Sequence, residues 1–134
     1  MADGFDLETH TVGDVQVLAV RGELDRETQD RFQTSVLDAL SQGPVVVDLS
    51  NTTFMGVSVL RSLVQCHNSA IRSRRPMVLA AAPTSVERML TVVHAHDKVP
   101  LTRSVVAGLE AVGRLDALWN RTRAHHGRGM EPSA

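Results

Sequence analysis

The sequence predicts an α/β domain. Its sheet is mixed, antiparallel at the N-terminal strand and otherwise mainly parallel, with about four helices in the order β-β-α-β-α-β-α-β-α. Three observations lead there. Val45-Val46-Val47, directly behind Pro44, is a β-branched run suited to a central strand covered on both faces. From Val57 the apolar period lengthens, and Val57, Leu60, Leu63, Val64, His67 and Ile71 form one stripe at helical spacing. Extended and helical patterns then keep alternating, with no internal repeat.

Each element has its own signal. Phe5, Leu7 and Thr9 alternate with Asp6, Glu8 and His10, the period-two mark of a half-buried edge strand. Gly13-Asp14 offers a tight turn and residues 15–20 resume in extended form, so the first two strands make a hairpin. Gly22-Glu23-Leu24-Asp25 closes the second strand, with Asp25 placed to cap a helix and Glu27 in its first turn. That helix carries Phe32, Val36, Leu37 and Leu40 and stops at Gly43-Pro44. The valine strand is expected to give way to a polar turn before the helix that starts at Val57. Arg72, Arg74 and Arg75 suit the negative end of that second helix, and Pro76 forbids its continuation.

Residues 77–82 are short, apolar and flanked by prolines, which reads as another buried strand. Thr84-Ser85-Val86-Glu87 has the spacing of a capping box and opens a third helix with Val86, Met89, Leu90 and Val93. Val99-Pro100-Leu101 is a further extended piece, and Ser104 caps a fourth helix bearing Val105, Val106, Leu109, Val112 and Leu115. From Arg121 the periodicity is lost. Residues 1–120 are therefore expected to form the domain, and residues 121–134 a disordered basic tail.

Composition narrows the function. A chain of 134 residues has the length of one domain. Fourteen Lys and Arg against fifteen Asp and Glu leave a net charge of −1, ill suited to direct binding of nucleic acid or a membrane surface. Aromatic residues make up 3%, too few for a single-strand stacking platform. No apolar run reaches the roughly 20 residues of a spanning helix. Met1-Ala2-Asp3-Gly4 is acidic where a signal peptide is basic, and a single cysteine cannot form an internal disulfide. A cytoplasmic location is the expectation.

The corner between the valine strand and the helix at Val57 lies at the carboxyl end of a parallel strand, where open α/β sheets place their sites. Around it, four motifs together resemble the STAS family, whose soluble members are bacterial anti-sigma factor antagonists. They are Gly22-Glu23-Leu24-Asp25 ahead of a helix, Asp48-Leu49-Ser50 ending a valine strand, Phe54 in the turn, and Val86-Glu87-Arg88-Met89-Leu90 in the third helix. The similarity runs from Phe5 to Val112. It implies helices packed mainly on one side of the sheet, and a binding module of transcription control with no enzymatic activity and no cofactor. The implied partner is an anti-sigma factor of the serine-kinase type, and a second copy of the chain is a further candidate.

In that family the turn before the second helix usually reads Asp-Ser-Ser-Gly or Asp-Ser-Thr-Gly, and the partner phosphorylates the first hydroxyl. The matching residues here are Gly56-Val57-Ser58-Val59. Gly56 stands at the acidic position and Val57 at the phosphoacceptor position, while Ser58 keeps the second hydroxyl and Val59 replaces the glycine. Valine has no oxygen to phosphorylate, so the usual switch cannot operate there. A phosphate would add about −1.5 to −2 charges at a helix N-terminus. Without it the surface keeps one charge state, and Val57-Ser58-Val59 becomes a permanent docking surface. Asp25, Thr53, Met55, Gly56, Val57, Ser58 and Arg61 are the expected partner contacts. The alternative is a scaffold or a domain that binds a small ligand such as a nucleotide, without a sigma-factor role.

Several residues carry a plainer reading beside the functional one. Ser58 is a displaced phosphoacceptor or a hydroxyl satisfying backbone donors in the first helical turn. Asp25 is a cap or a contact, and Asp48 bonds to its neighbouring turn. Gly56-Val57-Ser58-Val59-Leu60 half-matches a nucleophile elbow, with His94, His96 and Asp97 downstream, but the second glycine is missing. His94 and His96 are spaced i,i+2, which on a helix does not face one metal, and no Cys/His cluster has zinc spacing. His67 is a satisfied semi-buried residue of the second helix or a proton switch, and Cys66 a packed residue at the edge of that helix's stripe or a redox sensor. Trp119 is a packed anchor or a partner contact.

Overall fold

In a computed structural model, the described residues form β1 (Phe5–Val12), β2 (Val15–Leu24), α1 (Gln29–Leu40), β3 (Val45–Met55), α2 (Val57–Ser73), β4 (Met77–Ala80), α3 (Thr84–Val92), β5 (Leu101–Thr102) and α4 (Val105–Met130). The structure describes residues 5–92 and 99–130, with side chains described as far as residue 119. Val93, His94, His96 and Asp97 lie outside the described residues.

The strands stand in sequence order, β1-β2-β3-β4-β5, with β1 antiparallel to β2 and the remaining pairs parallel. Parallel strands laid down in order, with crossovers of one hand, put the connecting helices on one face. Phe32 and Val36 of α1, Leu63 and Ala70 of α2 and Leu90 of α3 accordingly share one core with Leu18, Val45, Val47, Leu49 and Leu79. The opposite face carries a second core, in which Val112, Val105, Leu109 and Leu115 of α4 cover Val17, Val46, Val78 and Ala80. The valines of β3 thus alternate between two cores, which is why that run is apolar without interruption.

Four boundaries differ from the sequence expectation. The polar stretch after the valines is not a turn: β3 stays extended to Met55, pairing with the far end of β2 as Glu23↔Phe54 and Leu24↔Met55. Strand pairing supplies the backbone partners a turn would otherwise provide, and Thr52 Oγ1 also donates to the Val20 carbonyl at 3.3 Å. To keep step, β3 takes an extra residue between Asp48 and Asn51 and again between Thr52 and Phe54. Gly22 lies beside the second irregularity at φ +98°, a conformation that needs glycine. Secondly, β4 is only four residues long, because Ala81 turns left-handed at φ +60°. Thirdly, Thr84 is the first residue of α3 and no cap, since the Pro83 carbonyl accepts the Glu87 N–H at 2.8 Å. Lastly, the backbone of α4 remains helical beyond Arg121 to Met130, where a tail was expected; a helix carries its own backbone hydrogen bonds and needs no partner for them. Ser104 caps α4 as read, its Oγ accepting the Ala107 N–H at 3.0 Å.

Candidate functional site

β2 and β3 end together. Leu24 pairs with Met55, and the Gly56 N–H donates to the Leu24 carbonyl at 2.8 Å, clamping the two chain ends. Gly56 then takes the cap position of α2 in extended conformation, without a side-chain hydrogen bond, and its carbonyl accepts the Val59 N–H at 3.1 Å. The turn is therefore held by backbone alone. A Cβ placed on Gly56 would lie 3.6 Å from the Leu24 carbonyl oxygen, 3.6 Å from the Phe54 ring and 3.9 Å from the Asp25 Cα. These residues, distant in sequence, meet at one corner.

The helix start sorts its side chains by period. Val59, Leu60 and Leu63 turn inward, whereas Val57 and Arg61, one turn apart, face outward. Val57 is 59% exposed and Phe54 49% exposed, large apolar groups left in water on a rigid corner. Thr53 is also exposed, and Gly56 and Ser58 are half-buried. Ser58 Oγ makes no hydrogen bond among the described residues, so it does not serve the backbone donors of its own turn. Met55, expected as a contact, is 2% exposed and belongs to the core.

Asp25 does cap, but it caps a turn ahead of α1. Its Oδ1 accepts the N–H groups of Glu27 at 3.0 Å and Thr28 at 3.1 Å. In return the Thr28 hydroxyl accepts the Asp25 N–H at 2.9 Å and donates to the Glu23 carbonyl at 3.0 Å. This reciprocal pair delays the helix to Gln29 and leaves Asp25 half-buried beside Gly56. Asp48 bonds locally, accepting the Ser50 N–H at 3.0 Å.

The sequence did not single out two contributors. Phe54 was noted only as part of a motif, although an aromatic ring among Asn51, Thr52 and Thr53 was the available signal. Gln29 Nε2 donates at 2.8 Å to Ser62 Oγ, which is 1% exposed, and so ties the start of α1 to α2 behind the corner. Cys66 is fully buried, and burial pushes its thiol up to about 11. Burial also lowers the pKa of His67, whose buried Nδ1 has no partner among the described residues. Trp119 is half-buried on α4. The half-matched elbow places Ser58 inside the first turn of α2, while the side chains that would complete it lie outside the described residues. Among the described residues no three His, Cys, Asp or Glu side chains gather at a metal-binding distance, and no helix is long and apolar enough to cross a membrane.

The corner combines apolar anchors with a hydroxyl, a guanidinium and a carboxylate on a backbone-clamped turn. Such a surface suits docking. The profile of the STAS domain matches residues 6–108. Among solved structures, the chain is similar to an anti-sigma factor antagonist from Mycobacterium paratuberculosis, at 21% identity over 81% of this chain and 93% of that one, with a TM-score of 0.74. It is similar to a putative anti-sigma factor antagonist from Thermotoga maritima, at 24% identity over 79% and 93%, with a TM-score of 0.73. The antagonist SpoIIAA in its unphosphorylated form aligns at 15% identity over 81% and 96%, with a TM-score of 0.65. At these identities the likeness is one of fold. No curated protein matches the chain by sequence.

Proposed function

This chain belongs to the STAS domain family, and from that premise we propose that it is an anti-sigma factor antagonist-like module that docks an anti-sigma factor on the β3–α2 corner. The observation that carries this reading is the exposure of Phe54 and Val57 on a corner held rigid by the Gly56–Leu24 hydrogen bond. Exposed apolar anchors on a preorganised turn lose little ordering entropy on binding. Phe54 and Val57 act as the buried centre of the interface, with Thr53, Ser58, Arg61 and Asp25 around them, and Gly56 and Met55 set its shape. Val57 cannot accept phosphate, so docking proceeds without the serine switch, and the sole hydroxyl of the motif is Ser58.

Calorimetric titration with the cognate anti-sigma factor tests the surface. Val57→Asp strands a carboxylate against a docked apolar face, expected to cost about 2 kcal/mol or more, roughly thirtyfold in Kd. Val106→Asp, on α4 at a residue 66% exposed, should leave affinity unchanged. Equal affinity for Val57→Asp and the parent chain would remove the corner from the interface. Incubation with the partner and ATP, followed by mass spectrometry, tests the missing switch: phosphate on Ser58 would show it displaced by one residue.

A further inference from the structure

β1 is the terminal strand of the sheet, paired on one side only among the described residues, and we propose that its free edge pairs with β1 of a second copy of the chain, antiparallel about a two-fold axis at Thr9. The hydrogen-bond phase of the strand selects that axis. Thr11 stands opposite Gln16, whose N–H is already given to the Pro44 carbonyl on the far side at 2.8 Å. Thr11 and Gln16 are therefore a non-hydrogen-bonded pair, and the N–H and C=O of Thr11 point away from β2. With a period of two, those of Phe5, Leu7 and Thr9 do likewise, while Asp6, Glu8, His10 and Val12 bond to β2. The hairpin agrees: Gly13, at φ +63°, opens a two-residue turn, which closes on a hydrogen-bonded pair, here Val12 and Val15.

An added antiparallel strand must bond through the odd-numbered residues, which restricts self-pairing to a few registers. Centring on Leu7 sets Asp6 against Glu8 of the second copy, and centring on Glu8 sets that carboxylate against itself. Centring on His10 sets imidazole against imidazole and shortens the overlap. The axis at Thr9 avoids all three. It pairs Thr9 with Thr9 and Leu7 with Thr11 through backbone bonds, and it sets Glu8 opposite His10 twice. Those are non-hydrogen-bonded pairs with Cα atoms about 4.5 Å apart, where side chains approach closely and a carboxylate acceptor meets an imidazole donor. Glu8, Thr9 and His10 are all exposed. The open groove beside the strand, lined by Leu7, Asp30, Arg31 and Thr34, carries both signs of charge, so two copies meet no single-sign field there.

Sedimentation equilibrium of the full chain tests the proposal, with a concentration-dependent dimer as the expected result. Thr9→Pro removes an outward N–H and no bond to β2, so the variant should fold and sediment as a monomer. His10→Glu brings carboxylates face to face and should raise the dimer dissociation constant roughly tenfold, and adding Glu8→Lys should restore it. Thr9→Cys should form a covalent dimer under oxidised glutathione, because its hydrogen-bonded pair sits about 5.5 Å apart between Cα atoms. Thr11→Cys, several residues from its own copy in this register, should not. A parent chain that stays monomeric at its solubility limit overturns the proposal, as does a Thr9→Pro dimer of parental strength. Should Thr9→Pro fail to fold, the cysteine pair and the charge variants decide the matter.

Discussion

Two glycines inside α4, Gly108 and Gly113, allow helix propensity to be separated from packing by the same substitution. In an open helix alanine is better than glycine by about 1 kcal/mol. A Cβ on Gly113 meets nothing within 4 Å, so Gly113→Ala should gain that full amount. On Gly108 the Cβ would stand 3.1 Å from Val46 Cγ1, 3.2 Å from Thr102 Oγ1 and 3.4 Å from Ala80 Cβ. None of these neighbours is a loose end. Val46 and Ala80 are fully buried in the sheet, and the Thr102 hydroxyl is held by the Leu79 carbonyl at 3.0 Å. The helix must therefore lift away from the second core, and such overpacking costs about 1–3 kcal/mol. Set against the propensity gain, Gly108→Ala should lose up to about 2 kcal/mol. At roughly 3–5 °C per kcal/mol for a chain of this size, the two variants should move Tm in opposite directions. Urea unfolding with unchanged m values measures the difference. If Gly108→Ala stabilises the protein as much as Gly113→Ala, α4 is not seated on Val46 and the second core is wrongly drawn.

Two further expectations concern α2. Cys66, buried and with its thiol pushed up to about 11, should resist alkylation in the native protein and react only as fast as the chain unfolds; rapid labelling without denaturant would contradict its place in the core. His67 has its pKa lowered by burial, so the unfolded chain takes up the proton first as pH falls. Its contribution is complete above about 6.5, the ordinary imidazole value, and is lost as pH drops below that toward the folded pKa. His67→Gln should flatten the stability difference between pH 7 and pH 5, and an NMR titration midpoint for His67 at or above the ordinary value would refute the assignment.

The architecture was readable because its signals were redundant. Three consecutive valines, a stripe from Val57 and a capping serine at Ser104 each pointed to one element, and the elements agreed. Boundaries failed where tertiary partners overrode local composition. Asn51, Thr52 and Thr53 read as a turn by residue type, yet β2 reaches far enough to hold them extended. At the site, the apolar stripe grouped Val57 with Leu60 and Leu63, so periodicity alone did not tell its outward face from their inward one; Val57 is 59% exposed and Leu63 fully buried. Burial of Met55 was not legible, because a polar turn and an extended strand present its side chain differently. The link between Gln29 and Ser62 spans two helices, and no local pattern encodes it.

Residue 56 adopts φ −83° and ψ 163°, backbone angles open to any amino acid, and a side chain there would find only ordinary van der Waals distances. Nothing in the architecture asks for glycine. Chemistry at this cap is thus uncoupled from foldability, and Gly56→Asp together with Val57→Ser should leave the scaffold beneath undisturbed. Proteins sharing this framework are free to differ at half-buried residue 56 and exposed residue 57 without rebuilding the core that carries them.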